Sequence, residues 1–125
     1  MSHLKQEVHA VFVHVTDLKK SAEWYSKLLE LHFKEEEVQS PVYNMPLKSG
    51  AYMTLDDHAF DPSFEFTPSR HPAFNFMTSD LKAAYDWIKQ EGIPVVRDIE
   101  THGNFGWIHI MDPDENVLMI CGDVA

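Results

Sequence analysis

One short pattern occurs twice in this chain, and it constrains the fold more than any other feature. Thr16-Asp17-Leu18-Lys19 returns half a chain later as Ser79-Asp80-Leu81-Lys82, and Trp24 returns as Trp87 at the same distance from its aspartate. Each copy follows an apolar run, Val8 to Val15 and then Pro72 to Thr78, and each opens an amphipathic segment. Self-similarity on this scale marks a duplicated supersecondary unit. The concavity between two such units is where chemistry is expected.

At 125 residues the chain is one domain's worth, or two half-domains sharing a core. Its 44% apolar and 24% charged residues fit a globular protein. The net charge of -10 argues against nucleic acid as a partner, because phosphate binding needs a basic footprint. It mildly favours cationic ligands, although an acidic surface also serves solubility. The single cysteine, Cys121, excludes an intrachain disulfide and suits a reducing cytoplasm, the expected setting. Met1 to Glu7 shows neither the basic nor the apolar part of a secretory signal. No apolar run reaches the ~18 residues of a membrane span, so no membrane partner is expected.

Residues 8–56 read as the first unit, 57–71 as a connector and 72–122 as the second unit. In the first, Val8 to Val15 is a strand and Asp17 caps a helix with apolar Leu18, Ala22, Tyr25 and Leu29 on one stripe. His32 to Val38, Val42 to Lys48 and Ala51 to Leu55 read as three further strands. In the second, Ala73 to Thr78 is a strand and Asp80 caps a helix that Gly92 and Pro94 end. Pro94 to Ile99, Phe105 to Met111 and Val117 to Cys121 are strands, the last two joined by the turn Asp112-Pro113-Asp114-Glu115-Asn116. The sum is an α+β fold of two tandem βαβββ units, forming a curved mixed sheet around a cavity. Its exposed edge strands offer a route to a homodimer.

An Asp-Leu at a strand-to-helix junction, an aromatic residue two turns on, and a late Asp-Pro-Asp-x-Asn hairpin resemble the vicinal oxygen chelate superfamily. That superfamily includes glyoxalase I, extradiol dioxygenases and the fosfomycin- and bleomycin-resistance proteins. The resemblance spans nearly the whole chain and implies a glyoxalase-like fold. It also implies a divalent metal held by one residue on each of four strands and acting as a Lewis acid. The corresponding positions here are Ala10, Thr54, Ala73 and Met119, none a plausible ligand for such a cation. His9 and His71 lie close to two of them but do not occupy equivalent places in the repeat. The reading is a member that lacks the family's metal site and needs no cofactor. A relocated site of His14, His109 and Asp56 is a weaker alternative.

Strand alternation assigns a ligand-binding face. Ala10, Phe12 and His14 come from the first strand, and Tyr52 and Thr54 from the last strand of that unit. Ala73, Asn75, Met77, Trp107, His109, Met111, Val117 and Met119 come from the second unit. Phe12, His14, Tyr52, Thr54, Asn75, Trp107, His109 and Met119 are the binding candidates. The mixture of aromatics, methionine and a few polar groups is that of a small-molecule pocket. His14 and His109 can donate, accept or shuttle a proton near neutral pH. Trp24 and Trp87 read as packing residues, and Cys121 as an inert thiol that could reach the cavity mouth. Phe60, Phe64 and Phe66 make the connector either a lid or an oligomer contact.

Two functions follow. The first is a metal-independent protein of the bleomycin-resistance type, binding an aromatic or cationic small molecule. The alternative is a metal-dependent glyoxalase- or dioxygenase-like enzyme with non-standard ligands. A third reading is a dimer whose pocket is vestigial.

Overall fold

The computed structural model describes residues 3–125. The chain divides into two compact units, with the boundary between Phe66 and Thr67, inside the stretch read as the connector.

The first unit contains β1 (Ala10–His14), α1 (Leu18–Leu28), β2 (Val42–Asn44) and β3 (Tyr52–Asp56). Its sheet runs β1-β3-β2, with β1 parallel and β2 antiparallel to β3. Asp17 starts α1 as its sequence position requires, its Oδ1 accepting from the Lys20 amide at 3.1 Å. Leu18, Ala22 and Tyr25 are buried on one face of α1, opposite Val13 of β1 and Met53 and Leu55 of β3. Side chains of this size stabilise the unit by roughly 1.5–3 kcal/mol each when fully buried.

The second unit contains β4 (Asn75–Thr78), α2 (Leu81–Gln90), β5 (Val95–His102), β6 (Phe105–Met111) and β7 (Val117–Asp123). Its sheet runs β4-β7-β6-β5, with β4 parallel to β7 and the rest antiparallel. Asp80 repeats the cap of Asp17, accepting from the Ala83 amide at 3.1 Å. Leu81 and Ile88 of α2 are buried with Ile108, Ile110, Leu118 and Ile120. In both units the first strand lies parallel to the last, across a capped helix, so the duplication seen in sequence is a duplication of structure. Neither sheet closes into a barrel.

One expected strand is not formed. Residues 32–38 carry a single 3-10 turn at Glu35–Glu37 and no strand. In chain order they hold the place that β5 holds in the second unit, between the helix and the next strand. The physical reason is the shortness of β2, whose three residues offer little backbone for a further ladder. Val38 is buried instead, and the Lys34–Glu37 pair at 3.6 Å supports the turn from solvent. The first unit is therefore βαββ. Ala73 also lies just before its strand, and β5 runs past the expected end to His102.

Two local devices hold the second unit. The carboxylate of buried Asp112 accepts from the Asp114 and Asn116 amides, both at 2.9 Å, and from Asn116 Nδ2 at 3.0 Å. Asn116 Oδ1 in turn accepts from the Ser69 amide at 2.9 Å, which ties the end of the connector to the hairpin. Gly122 lets β4 and β7 approach: a Cβ there would collide with the Thr78 carbonyl oxygen.

Candidate functional site

Alternation along the strands gives each sheet a helix-facing side and an open side. In the first unit Val13 and Val15 are buried, whereas Phe12 and Tyr52 are 55% and 54% exposed and His14 is also exposed. The binding candidates Phe12, His14 and Tyr52 thus lie on the open side, as their parity predicts. Thr54 does not behave this way. It is buried, and its hydroxyl donates to Asn44 Oδ1 at 2.5 Å, across the β2–β3 pair. The hydroxyl's one proton is thus given to Asn44 and is not offered to a ligand.

The first sheet's strand register sets His14 directly beside Asp56. Asp56 Oδ1 accepts from the His58 amide at 2.8 Å, an Asx turn that bends the chain back as it leaves β3. His58 adopts φ 57, in the left-handed region, and its ring comes to lie against His14. His14 Nδ1 and His58 Nε2 are 2.7 Å apart, one holding the proton that the other accepts. His58 Nε2 is also 3.8 Å from Asp56 Oδ2. Phe64 stacks on the His58 ring, 3.4 Å between centroids and 9° between planes. His58 was not among the candidates read from sequence. The signal available was Asp56-Asp57-His58 directly after a strand, since an aspartate there favours an Asx turn.

In the second unit the register lines up Asn75, Met119, His109 and Arg97 as successive partners across all four strands. Asn75 is exposed and Met119 and His109 are half-buried, with Trp107 and Met111 beside His109 along β6. Asn75 Nδ2 lies 3.9 Å from Met119 Sδ. Burial lowers the pKa of His109, and the positive charge of Arg97 adds to this. Glu100 opposes the shift, and His71 contributes a smaller lowering effect. His109 is accordingly neutral near pH 7, with one nitrogen to donate and one to accept. Cys121 shares a face with its ladder partner Trp107 but is not exposed there. It is buried, its Sγ is 3.6 Å from the Phe76 carbonyl oxygen, and burial raises the thiol's pKa.

The four positions at which the family resemblance implies metal ligands do not fit a divalent cation. Ala10 and Ala73 have no side-chain donor atom, Thr54 offers only a buried, neutral hydroxyl, and Met119 only a soft thioether. His14 and Asp56 belong to the first unit and His109 to the second. Among the described residues, no group of three His, Cys, Asp or Glu side chains is placed to hold a metal ion.

Two units, each setting its first strand parallel to its last across an aspartate-capped helix, define a duplicated α+β protein of glyoxalase-like fold. The chain belongs to the Glyoxalase/Bleomycin resistance protein/Dioxygenase superfamily, whose profile matches residues 7–120. Solved structures share the fold at low identity. A glyoxalase/dioxygenase from Nostoc punctiforme superposes with TM-score 0.68 at 21% identity, covering 100% of this chain and 99% of its own. Lactoylglutathione lyase from Agrobacterium tumefaciens gives 0.68 at 15%, covering 94% of each chain. The oxidase ChaP-H1 gives 0.68 at 18%, covering 94% of this chain and 96% of its own. No curated protein matches the sequence. No helix among the described residues is long and apolar enough to cross a membrane.

Proposed function

We propose that this chain is a metal-independent small-molecule-binding protein of the bleomycin-resistance type, taking an aromatic or cationic ligand on its open sheet faces. The observation that carries this reading is the chemistry of the four family ligand positions. Two are alanines, one is a threonine hydroxyl already bonded to Asn44, and one is a methionine. The open faces nevertheless retain the make-up of a ligand site: Phe12, Tyr52 and Trp107 as aromatic surfaces, and His14, Asn75 and His109 as polar contacts. The net charge of -10 adds a field that draws cations. The inferred setting is the cytoplasm, and the exposed edge strands support a homodimer.

The second reading is an enzyme that works by proton transfer. It is favoured by the His14–His58 pair beside Asp56 and by the neutral state of His109. Its fold-mates include proteins called a lyase and an oxidase. On that reading His109→Ala abolishes turnover and leaves the fold intact.

A titration of intrinsic tryptophan fluorescence with a panel of aromatic and quaternary-ammonium compounds tests the binding reading. At least one compound is expected to bind without being consumed. Trp107→Ala or Tyr52→Ala should weaken it about tenfold or more, as loss of a buried aromatic contact does. Binding that neither substitution affects, or chemical conversion of the bound compound, contradicts the proposal.

A further inference from the structure

The link between β2 and β3 encloses a recess of about 170 Å³, lined by Met45 and residues 47–52. The chain around it is pinned at three points. The Met45 amide donates to the Met53 carbonyl at 2.9 Å, the Leu47 amide to the Met45 carbonyl at 2.8 Å, and the Tyr52 amide to the His9 carbonyl at 2.8 Å. Gly50, at φ 84, makes the left-handed turn that sends the chain back into β3. Met45 is buried and Leu47 half-buried, which gives the recess apolar walls, whereas Lys48, Ser49 and Tyr52 are exposed at its rim. The Tyr52 ring rests against the ring of His9 in a T-shaped contact, 5.0 Å between centroids.

The charge at this rim runs against that of the chain. Acids outnumber bases by 20 to 10, yet residues 38–55 contain no acid, and Lys48 is their one charged side chain. Lys48 forms no ion pair among the described residues. No backbone carbonyl among them accepts from the Lys48, Ser49 or Gly50 amide. A cation, a hydroxyl and three amide donors therefore border one apolar recess. An apolar cavity of about 150 Å³ holds a benzene ring, so the space here suits a single ring. We propose that the recess is a subsite for a single-ring aromatic carboxylate, its ring against Met45, Leu47 and Tyr52 and its carboxylate on Lys48. One lysine balances a monoanion, whereas a phosphate dianion would keep an uncompensated charge in the field of an acidic chain. Ser49 and the loop amides supply further donors to the carboxylate oxygens. The inference goes beyond the proposed binding reading: it uses neither Trp107 nor His109 and shares only Tyr52 with it.

Amide NMR of the nitrogen-labelled chain, titrated with benzoate, tests it. Benzoate is expected to shift the amides of residues 47–52 saturably. Benzamide keeps the ring and loses the charge, and acetate keeps the charge and loses the ring. Each should bind about tenfold or more weakly than benzoate. Lys48→Gln should weaken benzoate binding about tenfold, while the amides of the remaining strands keep their positions and show that the fold is intact. Shifts that do not saturate overturn the proposal, as does benzamide or acetate matching benzoate, or undiminished binding in Lys48→Gln. Saturable shifts at the Trp107 indole with none in residues 47–52 also overturn it, and would place the compound on the open face of the second sheet instead.

Discussion

A buried carboxylate with three donors aimed at it is a strong local commitment, and Asp112 is the clearest such residue here. Removing it takes the carboxylate acceptor from the amides of Asp114 and Asn116 and from the Asn116 side chain. Asp112→Ala is expected to cost about 2–4 kcal/mol, since bonds to a charged group are lost and buried donors are stranded. Urea denaturation with an unchanged slope would show it. His109 contributes acid sensitivity to the second unit. Its folded-state pKa lies below that of the unfolded chain, chiefly through burial and then through Arg97. As pH falls, the unfolded state takes up the proton first, so the contribution of His109 is whole above about pH 6.5 and is lost below it. His109→Asn should lose less stability in that window than the wild type does, and equal losses would contradict the assignment. At this scale the sequence was half legible. His14 and His109 could be placed on open faces because strand parity is a local property. Thr54 and His58 could not, because one is claimed by Asn44 across a strand pair and the other is delivered by a turn.

Both helices start at an aspartate, a feature legible in the sequence because an N-cap depends only on its own first turn. Their ends are alike in geometry and unlike in residue. After α2, Gly92 takes φ 73 and its amide bonds to the Lys89 carbonyl; after α1, Glu30 takes φ 55 and its amide bonds to the Lys27 carbonyl. A side chain in the left-handed region costs roughly 1–2 kcal/mol relative to glycine. Glu30→Gly should therefore stabilise the chain by about 1 kcal/mol, offset a little by the entropy of the unfolded glycine, as chemical denaturation would show. Gly122→Ala should do the reverse and prevent close pairing of β4 with β7, because the added Cβ meets a backbone carbonyl that cannot step aside. Near-ultraviolet circular dichroism and a lowered melting point would report it. The expected strand at residues 32–38 failed for a reason that apolar pattern cannot convey. An edge strand needs a neighbour to pair with, and β2 is only three residues long.

For the molecule as a whole, the duplication was legible because the repeated Asp-Leu junctions lie at matching places, and the pairing of β1 with β3 and of β4 with β7 is its structural form. Family membership rests on the profile match over residues 7–120, and the chemistry does not follow from it, since one scaffold of this kind serves several activities. The residues at the four positions where the family resemblance implies ligands are the basis of the proposal that this chain binds no metal. The direct test is to saturate the purified protein with Ni²⁺, Zn²⁺, Fe²⁺ or Mn²⁺, remove free ion, and measure retained metal by mass spectrometry. Only trace retention of every ion is expected from the proposal. A stoichiometric, tightly held ion that survives exchange would contradict it.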